Sequence, residues 1–461
     1  MSITAERATS ATPSQVSPED EKLPVSQNLL LGLQHILTMY GGVISVPLIV
    51  GTAAGLETAQ TAILIAAALF VSGAATILQS WGIPFFGSRL PLVQGISFAS
   101  VSTMTTIAKG DGGLQSVFGA VIVAGIFGVV VAPIFSKIVR YFPTVVTGTI
   151  ITVIGVSLLP VAVRWAMGGV ATAPDYGAVN HIVLAGITLA FTLTFSAIKK
   201  LSRLAVLLGI LAGTIVALLT GQANFSKVSS SEIFAFPTPF SFGMPTFEIG
   251  AIISMCVVMI VIMTETTADI LAVGKIVGTK VDGKRVADGL RADALSTALS
   301  PVFNSFPASA FAQNVGVVAM TGVRSRFVVA TGGAILLVLG LFPVLGAVIA
   351  SVPYPVLGGA AIVLFGSVAA SGIQSLATVD YTNSKNSLIV ATSIAFGLIP
   401  IAVPAFYGQF PTWFSLIFNS GISATAIMAF TLNMFFNELP KLSHKTADLG
   451  VQDGVAQGVK A

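Results

Sequence analysis

Four residues able to carry a proton or to hydrogen-bond in two directions stand inside otherwise apolar stretches: Glu265, Asp269, Asp293 and Gln313. Glu265 and Asp269 lie in ISMCVVMIVIMTETTADILAV, four residues apart, and so share one helical face. A carboxylate at membrane depth costs at least about 2.5 kcal/mol. Each is therefore expected to be paired within the protein or to work in a wet site as acceptor and donor of a proton. For Asp269 and Asp293 the competing reading is a tie between helices, for Asp293 with a neighbour such as Arg291.

Gln313 opens the segment QNVGVVAMTG, 313–322, which interrupts an apolar run with Gln, Asn, Gly and Thr. Unpaired polar groups in hydrocarbon cost several kcal/mol each, so the segment must be sealed in protein or line a cavity. A glutamine amide offers an acceptor and two donor hydrogens and can meet a donor/acceptor edge with two bonds. With Glu265 accepting from ring N–H groups, the pair suits a flat heterocycle of alternating C=O and N–H groups, such as an oxidised purine or a pyrimidine. Phe98, in QGISFAS, supplies either an aromatic wall for that ring or packing. Asn314, Gly316 and Thr321 are expected to shape the segment by bonding freed backbone, allowing close approach and bonding across helices. Gln34 and His35 stand in the first apolar run, where His35 either packs or bonds to a residue of the central site and orients it.

Of 461 residues, 54% are hydrophobic and 9% charged, far from the charge content of a soluble domain. The chain reads as an all-α polytopic membrane protein, with about fourteen apolar runs from Leu29 to Phe436, some short or broken. Its single cysteine, Cys256, excludes an intrachain disulfide and a cysteine-based metal site, and reads as packing. No metal site and no cofactor is expected. The net charge of +4 comes from clusters at Lys137/Arg140, Lys199/Lys200/Arg203, Lys275 to Arg291, Arg324/Arg326 and Lys441/Lys445. With alternating spans these share one side, against Lys109, Arg164 and Lys227 on the other. The positive-inside rule then puts both termini in the cytoplasm. This distribution points to a lipid bilayer rather than nucleic acid as partner.

Two pairs of segments repeat. RYFPTVVTGTIITVIGVSLLP (140–160) matches SVPYPVLGGAAIVLFGSVAAS (351–371), and RLPLVQGISFASVSTM (89–104) matches NSFPASAFAQNVGVVAM (304–320). Both offsets correspond to seven spans, which implies two repeats of seven, the second entering the membrane upside down. In such inverted repeats, interrupted segments in corresponding positions mark a central binding site. Spans three and ten are those segments. Each is expected to cross partly as a short strand and partly as a half-helix whose N-terminus offers free N–H groups and partial positive charge. The alternative is a pair of helices merely kinked by proline.

QNVGVVAMTG resembles the signature of the nucleobase/ascorbate transporter family, the xanthine/uracil permeases. QH in span one, QGISF in span three, ETTAD in span eight, RADALSTALSPVFNSFP and NSKNSLIVATS are similar to its purine-transporting bacterial branch, and the likeness covers residues 28 to 436. It implies a core domain of spans one to four and eight to eleven (28–139 and 247–351). Spans five to seven and twelve to fourteen (140–221 and 352–436) would form a gate domain that also dimerises. The remainder would be an extracellular loop at 222–246, a disordered cytoplasmic tail at 1–27 and a second tail at 437–461. By motif position Glu265 and Gln313 look like the purine-binding side chains, with Phe98 and Ala312 close by, and His35, Asp269, Asp293 and Asn314 like supporting and coupling residues. The activity implied is proton-coupled uptake at the cell membrane. Gln313 favours xanthine, with uric acid next. Alternatives are a uracil or other nucleobase symporter, a sodium-coupled carrier, a carrier of inorganic anions, and a passive channel. An intramembrane hydrolase lacks its motifs: neither HExxH, GxSxG nor GxGD occurs.

Overall fold

The computed structural model describes residues 17–138, 141–199, 201–230 and 232–440. Arg140, Lys200, the basic Lys441 and Lys445, and the outer parts of both expected tails lie outside the described residues. The protein is built of helices, of which eight among the described residues are long and apolar enough to cross a membrane. They are α1 (Val25–Ala53), α2 (Thr58–Trp81), α4 (Gly113–Ile138), α5 (Thr144–Ala166), α6 (Val179–Ala197), α8 (Ile249–Val277), α13 (Tyr354–Leu376) and α14 (Ser384–Ala402). Shorter helices complete the chain: α3 (Val101–Ala108), α7 (Ala205–Leu219), α9 (Gly283–Leu299), α10 (Ala312–Thr321), α15 (Thr412–Phe418) and α16 (Gly421–Asn433). Between α10 and α13, α11 (Arg326–Leu339) and α12 (Pro343–Ala350) form a pair bent by 80°. Pro343, which has no N–H to donate, starts the second arm.

The N-terminal segment differs from the disordered tail expected through residue 27. Pro18–Asp20 form a 3₁₀ turn, Glu19 is 4% exposed, and α1 already starts at Val25. At the other end the chain stays helical through the π turn Met434–Glu438, past the expected start of the second tail at 437.

Two strands of three residues replace helix in the middle of the protein. β1 (Gln94–Ile96) and β2 (Ala308–Ala310) pair antiparallel, Gln94 opposite Ala310 and Ile96 opposite Ala308. The strands need partners on their other edges, and each neighbouring helix supplies a threonine. Thr76 of α2 donates to the carbonyl of Gln94 (3.1 Å) and accepts its N–H (3.0 Å). Thr297 of α9 accepts the N–H of Ala308 (3.1 Å) and lies 3.4 Å from its carbonyl. A 3₁₀ turn at Phe98–Ser100, capped by the Ser97 hydroxyl, leads from β1 into α3, and α10 follows β2 directly.

The repeated segments 140–160 and 351–371 become α5 and α13, which pack antiparallel along a seam of small residues. A Cβ at Gly155 would lie 2.2 Å from the Ala369 nitrogen, and one at Gly372 would lie 2.3 Å from the Thr152 nitrogen. Such close approach lets apolar helices gain dispersion where burial from water contributes nothing between them. Gly372→Val is expected to force the helices apart at a cost of about 1–3 kcal/mol, seen as a lower thermal midpoint of the purified protein in detergent. An unchanged midpoint would contradict the close contact.

Candidate functional site

The strand pair and the half-helix after it form one wall of a cavity of about 260 Å³. Phe98, Ala310, Phe311, Ala312 and Gln313 line that wall, and α8 adds Glu265 and Asp269. Opposite stand Thr147, Ile151 and Ile154 of α5 and Ser367, Val368 and Ser371 of α13. The four-residue spacing on α8 thus places both carboxyl groups in the same space. No side chain caps α10, whose N-cap is Phe311. The Asn314 N–H donates to the Phe311 carbonyl (2.9 Å), which leaves the N–H groups of Ala312 and Gln313 for an acceptor atom.

Of the eight residues that the family resemblance assigns to the site, five line the cavity: Glu265, Asp269, Phe98, Ala312 and Gln313. The other three, His35, Asp293 and Asn314, are buried and not part of this lining. The Asn314 amide donates to the His35 carbonyl (3.0 Å) and lies 3.2 Å from His35 Nδ1, which ties α10 to α1. Asp293 is fully buried. Its Oδ2 accepts from the Thr266 hydroxyl and its Oδ1 from Gln79 Nε2 at 3.3 Å, so it joins α9, α8 and α2 and does not bond Arg291. The arginine instead pairs with Asp288 at 2.5 Å. Thr266 in turn accepts the N–H of Ala310 (3.3 Å), which connects this buried carboxyl group to β2.

Phe311 and the hydroxyl-bearing Thr147, Ser367 and Ser371 were not apparent in the sequence. The Phe311 ring is seated between two glycines: a Cβ at Gly95 would lie 2.3 Å from it and one at Gly42 would lie 2.7 Å from it. Phe98 stands 6.1 Å from Phe311 and edge-on to Phe365 of α13 at 5.9 Å, so it touches both walls. Phe311 immediately precedes the signature segment, and Thr147, Ser367 and Ser371 sit inside the repeated segments 140–160 and 351–371. Those positions were the available signal.

Two other spaces bear on the assignment. A cavity of about 280 Å³ beside the site shares Gln313 and Ser367 with it and runs past Thr38, Ser202 and Gly316. A Cβ at Gly316 would meet nothing within 4 Å, so this glycine leaves open space and is not a packing contact. A larger cavity of about 590 Å³ lies at the start of α2 against α12 and the 232–241 loop. Its two acidic residues, Glu57 and Glu232, are exposed and none of the residues singled out reaches it, so the chemistry assigns the site to the smaller space.

Two carboxyl groups lining one cavity among long apolar helices, with a strand pair and a half-helix breaking that pattern beside them, fit a membrane transport protein. The chain belongs to the xanthine/uracil permeases: the family's sequence model, described as "Permease family", matches residues 26–406. It is 39% identical to the xanthine permease of Bacillus subtilis (strain 168) over 92% of this chain and 98% of that one. It is 41% identical to the uric acid permease PucK of the same organism, over 89% of this chain and 95% of that one. Among solved structures, the transmembrane domain of the cyanobacterial bicarbonate transporter BicA shares the fold, with a TM-score of 0.62 and 18% identity over 88% of this chain and 98% of that one. The protein is thus a permease and not an enzyme.

If Phe311 floors the site, Gly95→Ala must displace its ring from this seat and change the shape of the cavity. The expected result is at least a fivefold rise in the concentration of transported compound needed for half-maximal uptake, at normal membrane abundance. Unchanged concentration dependence would remove the seat of Phe311 from the site.

Proposed function

We propose that the protein takes up an oxidised purine, xanthine first and uric acid next, together with protons. The observation that carries this reading is the convergence of Glu265, Gln313 and the uncapped start of α10 on one cavity walled by Phe98 and Phe311. A purine ring stacks on an aromatic face, presents its N–H edge to the glutamate and its mixed edge to the amide, and leaves a carbonyl for the helix N-terminus. The similar xanthine and uric acid permeases support the substrate class. The order of the two rests on Gln313.

In this reading the chain crosses the membrane fourteen times with both termini in the cytoplasm. The short α3, α7, α9, α10 and α16 and the bent α11/α12 pair supply the six passages beyond the eight long helices. Residues 28–139 and 247–351 form the core, 140–221 and 352–436 the gate, and gates of two copies meet in a homodimer. The antiparallel contacts of β1 with β2 and of α5 with α13 are what two inverted repeats would produce where they meet. The cavity lies between the two groups, so sliding of core against gate opens it to alternate sides. Glu265 takes a proton from outside, the purine docks, and the neutralised site crosses at lower cost than a charged one. His35, Asn314, Asp269 and Asp293 hold the core side of the site in shape.

Uptake of radiolabelled xanthine by cells lacking their own purine permeases tests the assignments. Glu265→Gln is expected to abolish accumulation against a gradient at normal membrane abundance, and retained pH-driven accumulation would remove its coupling role. Gln313→Glu is expected to shift competition between xanthine and uric acid by at least about tenfold, or 1.4 kcal/mol. An identical competition profile would take Gln313 out of recognition.

A further inference from the structure

The segment before α1 makes more polar contacts with distant parts of the chain than a leader to a first helix requires. Glu19 Oε1 accepts from Arg285 Nη2 (2.8 Å) and from the Thr279 hydroxyl (2.9 Å). Asp20 Oδ1 accepts from Arg326 Nε (2.6 Å), and the Glu21 carbonyl accepts from the Ser325 hydroxyl (2.6 Å). The two arginines reach onward. Arg326 donates to the carbonyl of Trp81 (2.6 Å), where α2 ends. Arg285 donates to the carbonyls of Ser88 (2.6 Å) and Arg89 (2.8 Å), in the loop that leads into β1. Glu19, Asp20 and Glu21 thereby join the end of α2, the α8–α9 turn, the start of α9 and the start of α11.

From Arg285 the contacts continue to the site. The Ser88 N–H donates to Gln79 Oε1 (3.1 Å), Gln79 Nε2 donates to Asp293 (3.3 Å), Asp293 accepts from Thr266, and Thr266 accepts from the N–H of Ala310 in β2. The links from Ser88 to Thr266 are buried, where hydrogen bonds are strong and a missing partner is costly, and the last one, to Ala310, is partly buried. All of these elements lie on the side of the cavity that carries Glu265 and Gln313, and none belongs to α5 or α13.

We infer that residues 18–21 are a clasp that fixes the ends of α2, α9 and α11, and that Glu19, Arg285 and Gln79 are positioning residues holding Asp293 and β2 in place. The clasp travels with the core and does not open. It rests on the transport reading only for its effect on uptake.

The test pairs Glu19→Ala with Glu19→Gln, which keeps the accepting oxygen. Glu19→Ala is expected to lower the maximal uptake rate per molecule at least fivefold and to leave half-saturation within twofold, because Glu265 and Gln313 keep their places. Glu19→Gln is expected to retain more than half of the rate. Amide hydrogen exchange on the purified protein supplies a readout independent of the substrate: Glu19→Ala is expected to speed exchange at 80–89 and 283–293 and to leave 144–166 unchanged. A Glu19→Ala variant with wild-type rate overturns the proposal, as does a loss of abundance with unchanged rate per molecule. Exchange that stays unchanged at 80–89, or rises equally everywhere, overturns it whatever compound is carried. A wild-type chain that fails to take up xanthine defeats the purine reading alone.

Discussion

Every backbone N–H and C=O at membrane depth must find its partner within the protein, and the β1–β2 pair is where this constraint shapes the molecule. Breaking two helices at Gln94 and Ala308 frees main-chain groups that hydrocarbon cannot solvate. The strands pair across their shared edge, and Thr76, Thr297 and Thr266 bond main-chain groups of Gln94, Ala308 and Ala310 on the outer edges. Held in this way, the pair lets α10 begin in the middle of the protein and direct its uncapped N-terminus at a cavity. A threonine from a neighbouring helix thus holds the outer edge of each strand.

The buried carboxyl groups divide by what surrounds them. Glu265 and Asp269 line the cavity. Asp293 is enclosed and bonded by Thr266 and Gln79, which suits a group that holds three helices and a strand together. Glu265 and Gln313 face a cavity whose far wall belongs to α5 and α13, and Phe98 contacts Phe365 across it. A site shared between two groups of helices is what sliding of one against the other can expose on alternate sides. That motion and its proton coupling remain the proposed part of the account.

Much of the site was legible because polarity in an apolar chain is expensive and therefore informative. Glu265, Asp269 and Gln313 stood out by residue type, and the prolines and amides of 89–104 and 304–320 located the two breaks where the strands are found. The His35 contact with Asn314 was expected only as a bond to some residue of the central site, since its partner lies 279 positions away. Phe311 was hidden because one more phenylalanine in an apolar run carries no signal. What marks it is the pair of glycines that seats it from α1 and β1. Glu19 was misjudged for a related reason: its composition reads as a solvated tail, and the arginine that buries it is 266 residues away. Eight described helices are long and apolar enough to cross a membrane; α9, which carries Lys284, Arg285, Asp288, Arg291 and Asp293, and the interrupted α10 are not among them.

The most direct test of the central claim, that purine and proton pass together through the Glu265 cavity, uses purified protein in proteoliposomes with a pH-sensitive dye inside. With no imposed gradient, external xanthine is predicted to acidify the lumen as it enters, and a protonophore is predicted to abolish that signal. Entry of radiolabelled xanthine with no proton movement would contradict the account.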